Sequence, residues 1–228
     1  MRIGLLQCDH VMDEFLGIAG DLDDMFRRWL PADWRVYDLA AGQCPAPGEC
    51  QAWVATGSRF SVYDDVPWIH SFAGLVREID EARRPFLGVC FGHQMMGHAL
   101  GGRVARSPRG WGVGVHQFNV RQQEPWMQPP LPHVNTLMSC QDQVEALPPG
   151  AVVLASNDHC PVAIFRRGTL LGIQGHPEWV PEYAQALLGA RRERIGAERA
   201  DQALATLATP RHSAEFAQWT LNWFQQAG

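Results

Sequence analysis

The chain has 228 residues, of which 46% are hydrophobic and 19% are charged, so its composition is that of a globular protein and not of a disordered segment. The formal net charge of −5 gives no electrostatic footprint for nucleic acid or for an anionic membrane. No stretch reaches the ~20 apolar residues of a membrane span, and no signal-peptide pattern precedes the apolar run that starts at Arg2. We therefore expect a single domain, residues 1–228, in the cytoplasm with reduced cysteines.

The first hundred residues alternate between short apolar runs and stretches with helical spacing. The apolar runs predict strands at 2–7, 35–38, 51–55 and 85–89. The helical spacing predicts helices at 21–29, 68–83 and 93–100, and the Gly- and Pro-rich stretch 40–49 predicts a loop. Such an alternation is typical of a doubly wound α/β fold, in which a mostly parallel central sheet carries helices on both faces.

The pattern changes after residue 100. Short apolar segments predict strands at 113–120, 136–138, 152–156, 162–165 and 169–174, which we assign to later strands of the sheet and to a small antiparallel extension. A helical segment is expected from about 181 to 228, with a break at Thr209-Pro210. Its basic residues alternate with glutamates at helical spacing, which predicts a solvated helix face made of Arg191, Arg192, Arg194, Arg199, Glu193 and Glu198.

The segment Gly88-Val89-Cys90-Phe91-Gly92 holds the strongest chemical signal of the chain. It follows a predicted strand and precedes a predicted helix. Small residues two places to either side of a nucleophile permit the strained strand-to-helix turn that exposes it. The positive potential of a helix N-terminus also favours a thiolate. Taken alone, the pentapeptide is equally compatible with a buried cysteine beside glycines that merely pack.

A second segment, His176-Pro177-Glu178, ends the last predicted strand. A cysteine nucleophile needs a base and a third group that orients the base, and His176 and Glu178 can take those two roles. Taken singly, His176 could be an ordinary surface or core histidine, and Glu178 a carboxylate at a helix N-terminus. Both simpler interpretations weaken because the two segments lie at the C-terminal ends of predicted strands, where open α/β sheets place their ligands.

Together these segments resemble the class I, or triad, glutamine amidotransferases, whose signature is G-x-C-x-G-x-Q followed much later by H-P-E. Residues 55–59, Ala-Thr-Gly-Ser-Arg, resemble the oxyanion loop of that family, and residues 139–144 resemble its substrate loop, usually S-H-x-D-x-V. The likeness extends from about Arg2 to Trp179 and is closest to the free-standing, GMP-synthase-like members. It implies the flavodoxin-like fold of the family. The first part of the signature is matched by Gly88, Cys90, Gly92 and Gln94.

The resemblance implies a role for each matching residue. Cys90 would attack the γ-amide of glutamine and form a γ-glutamyl thioester, while His176, oriented by Glu178, protonates the leaving amine. The backbone N–H groups of Ser58 and Phe91 would form the oxyanion hole. Asp142 would face the ammonium group of the substrate. The full set of implied substrate-binding residues is Gly57, Gln94, Ser139, Cys140, Gln141 and Asp142. Neither a metal nor a cofactor is implied.

Three positions depart from the family pattern. Cys140 stands where many members have histidine, Arg59 where many have proline, and Gly112 where an acidic residue is frequent. These changes leave the three triad positions intact. They therefore bear on the identity of the substrate more than on the hydrolytic chemistry.

Three interpretations of the function remain open. The first is an amidohydrolase that releases glutamate and ammonia from glutamine, for a separate synthetase, since the chain has no G-x-x-x-x-G-K-[ST] loop for ATP. The second is a γ-glutamyl peptidase or γ-glutamyl-amine hydrolase, which uses the same triad on a larger leaving group and needs no partner. The third, a non-catalytic regulatory module, is disfavoured because Cys90, His176 and Glu178 are all present. In either enzymatic case the substrate is a small molecule.

Overall fold

The structure, a computed structural model that describes residues 1–227, is built around a nine-stranded sheet. The order of strands across this sheet is β2-β1-β3-β4-β11-β10-β9-β6-β7, and β5 and β8 form a separate two-stranded sheet. In chain order the strands are β1 (Arg2–Gln7), β2 (Asp33–Asp38), β3 (Ala52–Ala55), β4 (Phe86–Val89), β5 (Arg103–Arg106), β6 (Gly112–Val120), β7 (His133–Cys140), β8 (Asp142–Ala146), β9 (Val152–Ser156), β10 (Ile164–Arg167) and β11 (Leu170–Ile173).

The sheet has a parallel part and an antiparallel part. Strands β2, β1, β3, β4 and β11 are parallel, and their order is that of a flavodoxin-like sheet. Strands β10, β9, β6 and β7 continue the sheet with antiparallel pairing. The predicted α/β fold is therefore confirmed, and the antiparallel extension comprises these four strands and the β5–β8 pair.

Helices lie on both faces of the parallel strands. They are α1 (Leu16–Ala19), which follows a 3-10 turn at Asp13–Phe15, α2 (Leu22–Trp29), α3 (Pro67–Glu81), α4 (Phe91–Ala99), α5 (Pro181–Ala190), α6 (Arg192–Ile195), α7 (Ala197–Thr206) and α8 (Ser213–Ala227). Within residues 1–227, none of these helices has the length and apolarity that a bilayer span requires.

Side chains of the central strands alternate between two apolar layers. In β3, Ala52 and Val54 belong to the cluster that contains side chains of α2 and α8. Trp53 and Ala55, which point the other way, belong to the cluster that contains side chains of α3 and α4. Because both faces of the parallel strands are covered, these strands occur in the sequence as continuous apolar runs.

The loop after β1 is tied to the start of α2 by Asp21. Its carboxylate accepts hydrogen bonds from the backbone N–H of Leu22 at 2.8 Å and of Val11 at 2.9 Å. The Asp24 side chain accepts in return from the N–H of Asp21 at 3.0 Å, which completes a capping box. The same Asp21 carboxylate contacts His10 Nδ1 at 2.7 Å. This network holds the β1 loop at the edge of the sheet where the strands end.

The segment 139–144, expected as a loop, is mostly strand. Its first two residues end β7, and Asp142 begins β8, which pairs with β5. Both β5 and β8 were missed in the sequence because they are short and bury few apolar side chains. Val104 and Val144 are buried against α4, where a Cβ on Gly97 would lie 2.9 Å from Val144 Cγ2.

Candidate active site

Cys90 stands on a strained turn between β4 and α4. Its φ of +51° and ψ of −98° lie outside the regions that non-glycine residues usually adopt. A Cβ on Gly88 would lie 2.4 Å from the backbone C and O of Gly92, and a Cβ on Gly92 would lie 2.8 Å from the Cβ of Ala55. Glycine is therefore required on both sides of the cysteine for a steric reason.

His176 reaches the same edge of the sheet because β4 and β11 are parallel neighbours, with Val89 paired to Ile173. Its backbone N–H donates to Leu137 O at 2.7 Å, which ties it to β7. His176 and Cys90 line one cavity. A Cβ on Gly57 would lie 2.8 Å from Cε1 of this ring and 3.6 Å from the Cβ of Cys90. Because Gly57 has no side chain, the His176 ring has space to lie next to Cys90.

Glu178 and Trp179 hold the His176 ring from two sides. The ring Nδ1 lies 2.7 Å from Glu178 Oε1, and the two residues are only 3% and 5% exposed. Trp179 stacks on the face of the ring, with centroids 3.6 Å apart and planes 11° apart. The predicted base and its predicted orienting carboxylate are thus brought together, and a tryptophan that the sequence analysis had not singled out fixes the plane of the ring.

The pKa of His176 reflects two opposing effects. Burial alone would lower the pKa, but the charge of Glu178 and the contact with Cys90 outweigh burial and raise the pKa from its ordinary 6.5 to about 9. The ring is therefore an imidazolium at neutral pH. Such a cation has a proton to give to an amine leaving group.

The loop after β3 lies against the Cys90 turn, because β3 pairs with β4. Thr56 fixes this loop, since its Oγ1 accepts from Cys8 N and donates to Gly57 O, each at 2.9 Å. Among the described residues, the backbone N–H groups of Ser58 and Phe91 have no hydrogen-bond acceptor. Two free N–H donors on either side of a nucleophile are what an oxyanion hole needs.

Gln94 connects α4 to the predicted substrate segment. Its Nε2 donates to Asp142 O at 2.7 Å and to Gln174 Oε1 at 3.2 Å. The Asp142 carboxylate accepts from the hydroxyls of Ser61 and Tyr63, the latter at 3.0 Å. A carboxylate has about four acceptor sites, so Asp142 keeps capacity for a substrate ammonium group.

Two adjoining cavities open at Cys90. The first, which we call the His176 cavity, has a volume of about 240 Å³ and includes Gly57 and His176 in its lining. The second, which we call the Gln94 cavity, has a volume of about 310 Å³. It is lined by the other predicted substrate-binding residues, Gln94, Ser139, Cys140, Gln141 and Asp142. The residues common to both cavities are Ser58, Arg59, Cys90, Ser139, Arg191 and Arg194.

The expectation that the C-terminal arginines form a solvated face is wrong for Arg191, which is half-buried, whereas Arg194 is exposed. Arg191 and Arg194 line both cavities, and their guanidinium groups lie 6.0 and 5.7 Å from the centroid of the Trp111 ring. Arg191 Nη1 donates to Ser139 Oγ at 2.9 Å. The helical spacing misled because α5 ends at Ala190, and Arg191, outside helical geometry with ψ of 3°, redirects the chain into α6.

Arg59 is another residue whose place the sequence did not reveal. Its Nε lies 2.9 Å from Asp9 Oδ2, and its backbone N–H donates to the same oxygen at 2.7 Å. It also donates from Nη2 to His10 O at 2.9 Å. Arg59 thereby clamps the oxyanion loop to the loop after β1, which proline at this position could not do. Arg59 and Asp9 are 50 residues apart in the sequence, so no local sequence pattern predicts their contact.

The described residues offer no group of three or more His, Cys, Asp or Glu side chains arranged to hold a metal ion.

A model of the family described as Glutamine amidotransferase class-I matches residues 62–189, which is more than half of the chain. The chain belongs to the class I glutamine amidotransferase family. The matched range contains Cys90, His176 and Glu178, whereas the loop with Gly57 and Ser58 lies before it.

Three known proteins illustrate the relationship. Gamma-glutamyl peptidase 3 of Arabidopsis thaliana is 27% identical over 188 residues, which are 77% of this chain and 76% of that protein. A glutamine-hydrolyzing GMP synthase of Thermomicrobium roseum is 37% identical over 128 residues, which are 55% of this chain but only 23% of the synthase. The crystal structure of a glutamine amidotransferase from Thermotoga maritima superposes with a TM-score of 0.74 over 98% of this chain and 96% of that one. At 21% identity, that likeness concerns the fold alone.

Proposed function

We propose that this amidotransferase-family chain is a cysteine hydrolase of γ-glutamyl amide bonds, with glutamine as its simplest substrate. The observation that supports this most directly is the buried His176–Glu178 pair beside Cys90 on its strained turn. A surface or packing histidine would not need an ionised partner at 2.7 Å and an aromatic ring stacked on its face. The same pair argues against a non-catalytic regulatory module.

The reaction would proceed in two stages. Cys90 Sγ attacks the γ-carbonyl carbon, and the N–H groups of Ser58 and Phe91 hold the oxyanion that forms. The carbon–nitrogen bond then breaks as His176 gives its proton to the leaving nitrogen, which leaves a γ-glutamyl thioester. In the second stage a water molecule attacks the thioester and gives a proton to His176. Glutamate departs, and Cys90 and the imidazolium are restored.

The glutamyl part of the substrate would bind in the Gln94 cavity. Asp142 can face the substrate ammonium group, and Arg106, which lines this cavity and not the other, carries the charge that the α-carboxylate requires. Ser139, Cys140 and Gln141 form the adjoining wall. Cys140, which is buried here, offers a small thiol where many relatives have an imidazole.

A synthetase partner that accepts ammonia is a second candidate for the biological role. The likeness to part of a glutamine-hydrolyzing GMP synthase favours it. Isolation of the native protein with and without chemical cross-linking would detect such a partner. A stimulation of glutamine hydrolysis by the captured synthetase would support this role, and an unchanged rate would count against it.

We also propose that residues 1–228 form one catalytic domain in the cytoplasm, where a reduced Cys90 is maintained. Helix α8 supports the first statement, because its Phe216, Trp219, Trp223 and Phe224 belong to the same apolar cluster as β1, β3 and β4. Gly228 lies outside the described residues.

The test of the hydrolase proposal is a panel of glutamine, γ-glutamyl amines and γ-glutamyl dipeptides, with glutamate release measured for each. Wild type should hydrolyse at least one class, and Cys90→Ala should hydrolyse none while keeping its far-UV circular dichroism. Cys44→Ala is the matched control, because Cys44 is an exposed cysteine that lines neither cavity. Full activity in Cys90→Ala, or no hydrolysis by wild type, would refute the proposal.

A further inference from the structure

The leaving group must enter the His176 cavity. The proton donor has to lie within hydrogen-bond reach of the leaving nitrogen, and His176 lines this cavity but not the Gln94 cavity. Ammonia is about the size of water, which occupies ~30 Å³ in the liquid. A cavity of about 240 Å³ is several times larger than such a leaving group needs.

One wall of this cavity is apolar. It is formed by Trp179 and by Tyr183 and Leu187 of α5, together with Met12 and Leu22 of the same apolar cluster. Tyr183 packs edge-on against Trp179, with ring centroids 4.9 Å apart and planes at 85°. A wall of this kind favours an apolar group on the leaving side of the scissile bond. Free ammonia has no apolar atoms that could pack against it.

Two of the three arginines that line this cavity have no anionic partner among residues 1–227. Arg59 is paired with Asp9 at 2.9 Å, and His10 lies 2.7 Å from Asp21. In contrast, no carboxylate of residues 1–227 lies within 4.0 Å of the guanidinium group of Arg191 or Arg194. Burial lowers the pKa of Arg191. A guanidinium fork in this setting is suited to binding a carboxylate.

We propose that the preferred leaving group is an amino acid, whose carboxylate binds Arg191 and Arg194 and whose apolar side chain packs against Trp179, Tyr183 and Leu187. This inference rests on the proposed hydrolase function and narrows its substrate to γ-glutamyl dipeptides with an apolar second residue. One water molecule is consumed, the γ-glutamyl carbon–nitrogen bond is broken, and glutamate and a free amino acid are released. Arg191 is then a specificity-determining residue that touches the substrate.

The test compares three substrates that share the glutamyl part: γ-glutamylphenylalanine, γ-glutamylphenethylamine and glutamine. The first two differ only by the carboxylate of the leaving group. Wild type should have its highest kcat/KM with γ-glutamylphenylalanine. Arg191→Gln should lower that value roughly 10- to 100-fold, the range for a lost hydrogen bond to a charged group, and should lower kcat/KM for the other two substrates at least tenfold less than that.

Arg192→Gln is the matched control. Arg192 is the next residue along the chain, but it pairs with Asp201 at 2.5 Å and lines neither cavity. This variant should hydrolyse all three substrates as wild type does. An equal loss for all three substrates in Arg191→Gln would overturn the proposal, because Arg191 would then serve the glutamyl carboxylate. A wild-type preference for glutamine or for the amine would overturn it as well.

Binding to the Cys90→Ala variant separates this inference from the hydrolase proposal. Calorimetry should give a Kd for γ-glutamylphenylalanine about tenfold or more below that for γ-glutamylphenethylamine, whether or not wild type turns either compound over. The additional Arg191→Gln change should remove this difference. Equal affinities in Cys90→Ala would reject the carboxylate site, whereas absent turnover with unequal affinities would reject only the hydrolase proposal.

Discussion

Trp179 stacks face to face on His176, three residues earlier in the chain, with ring centroids 3.6 Å apart and planes 11° apart. Glu178, between them in sequence, holds the ring at Nδ1 from its edge. Trp179 therefore fixes the plane of the His176 ring, and Glu178 fixes the rotation of the ring within that plane. Both constraints come from the six residues that follow β11, residues 174–179.

The first prediction concerns this stacking. Trp179→Ala should lower kcat for glutamine about 10- to 100-fold, since a shift of a catalytic ring by about 1 Å has effects of this size. Trp179→Phe keeps an aromatic face and should retain most of the activity. A wild-type kcat and pH profile in Trp179→Ala would show that the stacking contributes only to packing.

The second prediction concerns pH. Because the pKa of His176 is raised to about 9, chiefly by Glu178 against the effect of burial, the proton donor should persist through neutral pH. kcat/KM should therefore fall on the alkaline side near pH 9. Glu178→Gln removes the charge that raises the pKa, so this alkaline limb should move to lower pH. Rates measured from pH 6 to pH 10 would reveal an unmoved limb if the assignment is wrong.

The third prediction concerns the turn at Cys90. Gly88→Ala would place a Cβ 2.4 Å from backbone atoms of Gly92, which cannot move aside, so the free energy of unfolding should fall by about 1–3 kcal/mol or more. Gly74 of α3 and Gly189 of α5 have open space where a Cβ would be added. Alanine at either of these helical sites should stabilise the protein by roughly 0.5–1 kcal/mol. Urea denaturation of the three variants tests the contrast, which a similar effect at all sites would contradict.

The fourth prediction concerns acid stability. His93 of α4 is fully buried, and burial lowers its pKa from 6.5 to about 3. Between these two values the unfolded chain binds a proton that the folded chain does not, so stability is present above pH 6.5 and is lost as the pH falls. At pH 5 the free energy of unfolding should be smaller by on the order of 2 kcal/mol from this group alone.

His93→Leu removes this titration and keeps an apolar side chain beside Phe165, whose ring centroid lies 4.9 Å away. Between pH 7 and pH 5 the variant should therefore lose less stability than wild type. Parallel curves for the two proteins in urea denaturation would contradict the prediction.

Local sequence patterns predicted most of the fold and part of the candidate site. The apolar runs before Cys90 and His176 are strands of the parallel sheet, because both of their faces are covered by helices. The need for glycine at position 88 acts within four residues, against the backbone of Gly92, whereas the need at position 92 comes from Ala55 of the neighbouring strand β3. The family and the α/β fold follow from these features and are confirmed, while the catalytic roles remain predictions.

Contacts between distant residues could not be predicted in the same way. The clamp between Arg59 and Asp9 and the bond from Arg191 to Ser139 join residues about 50 positions apart, and each partner is ordinary by itself. The strands β5 and β8 gain their stability from pairing with each other and from packing on α4. Their own sequences are polar and therefore did not predict strands. Arg191, expected on a solvated helix face, lies after the break at Ala190 and lines the cavities.

The stretch from His176 to Arg194 holds the proposed base, its carboxylate, the stacked ring, most of the apolar wall and the two arginines without anionic partners. The proposed nucleophile and the proposed oxyanion loop follow other strands, β4 and β3. A relative could therefore acquire a different leaving-group preference by changes confined to this one stretch, without altering the acylation machinery. Exchanging residues 180–194 between family members would accordingly be a direct way to transplant substrate preference.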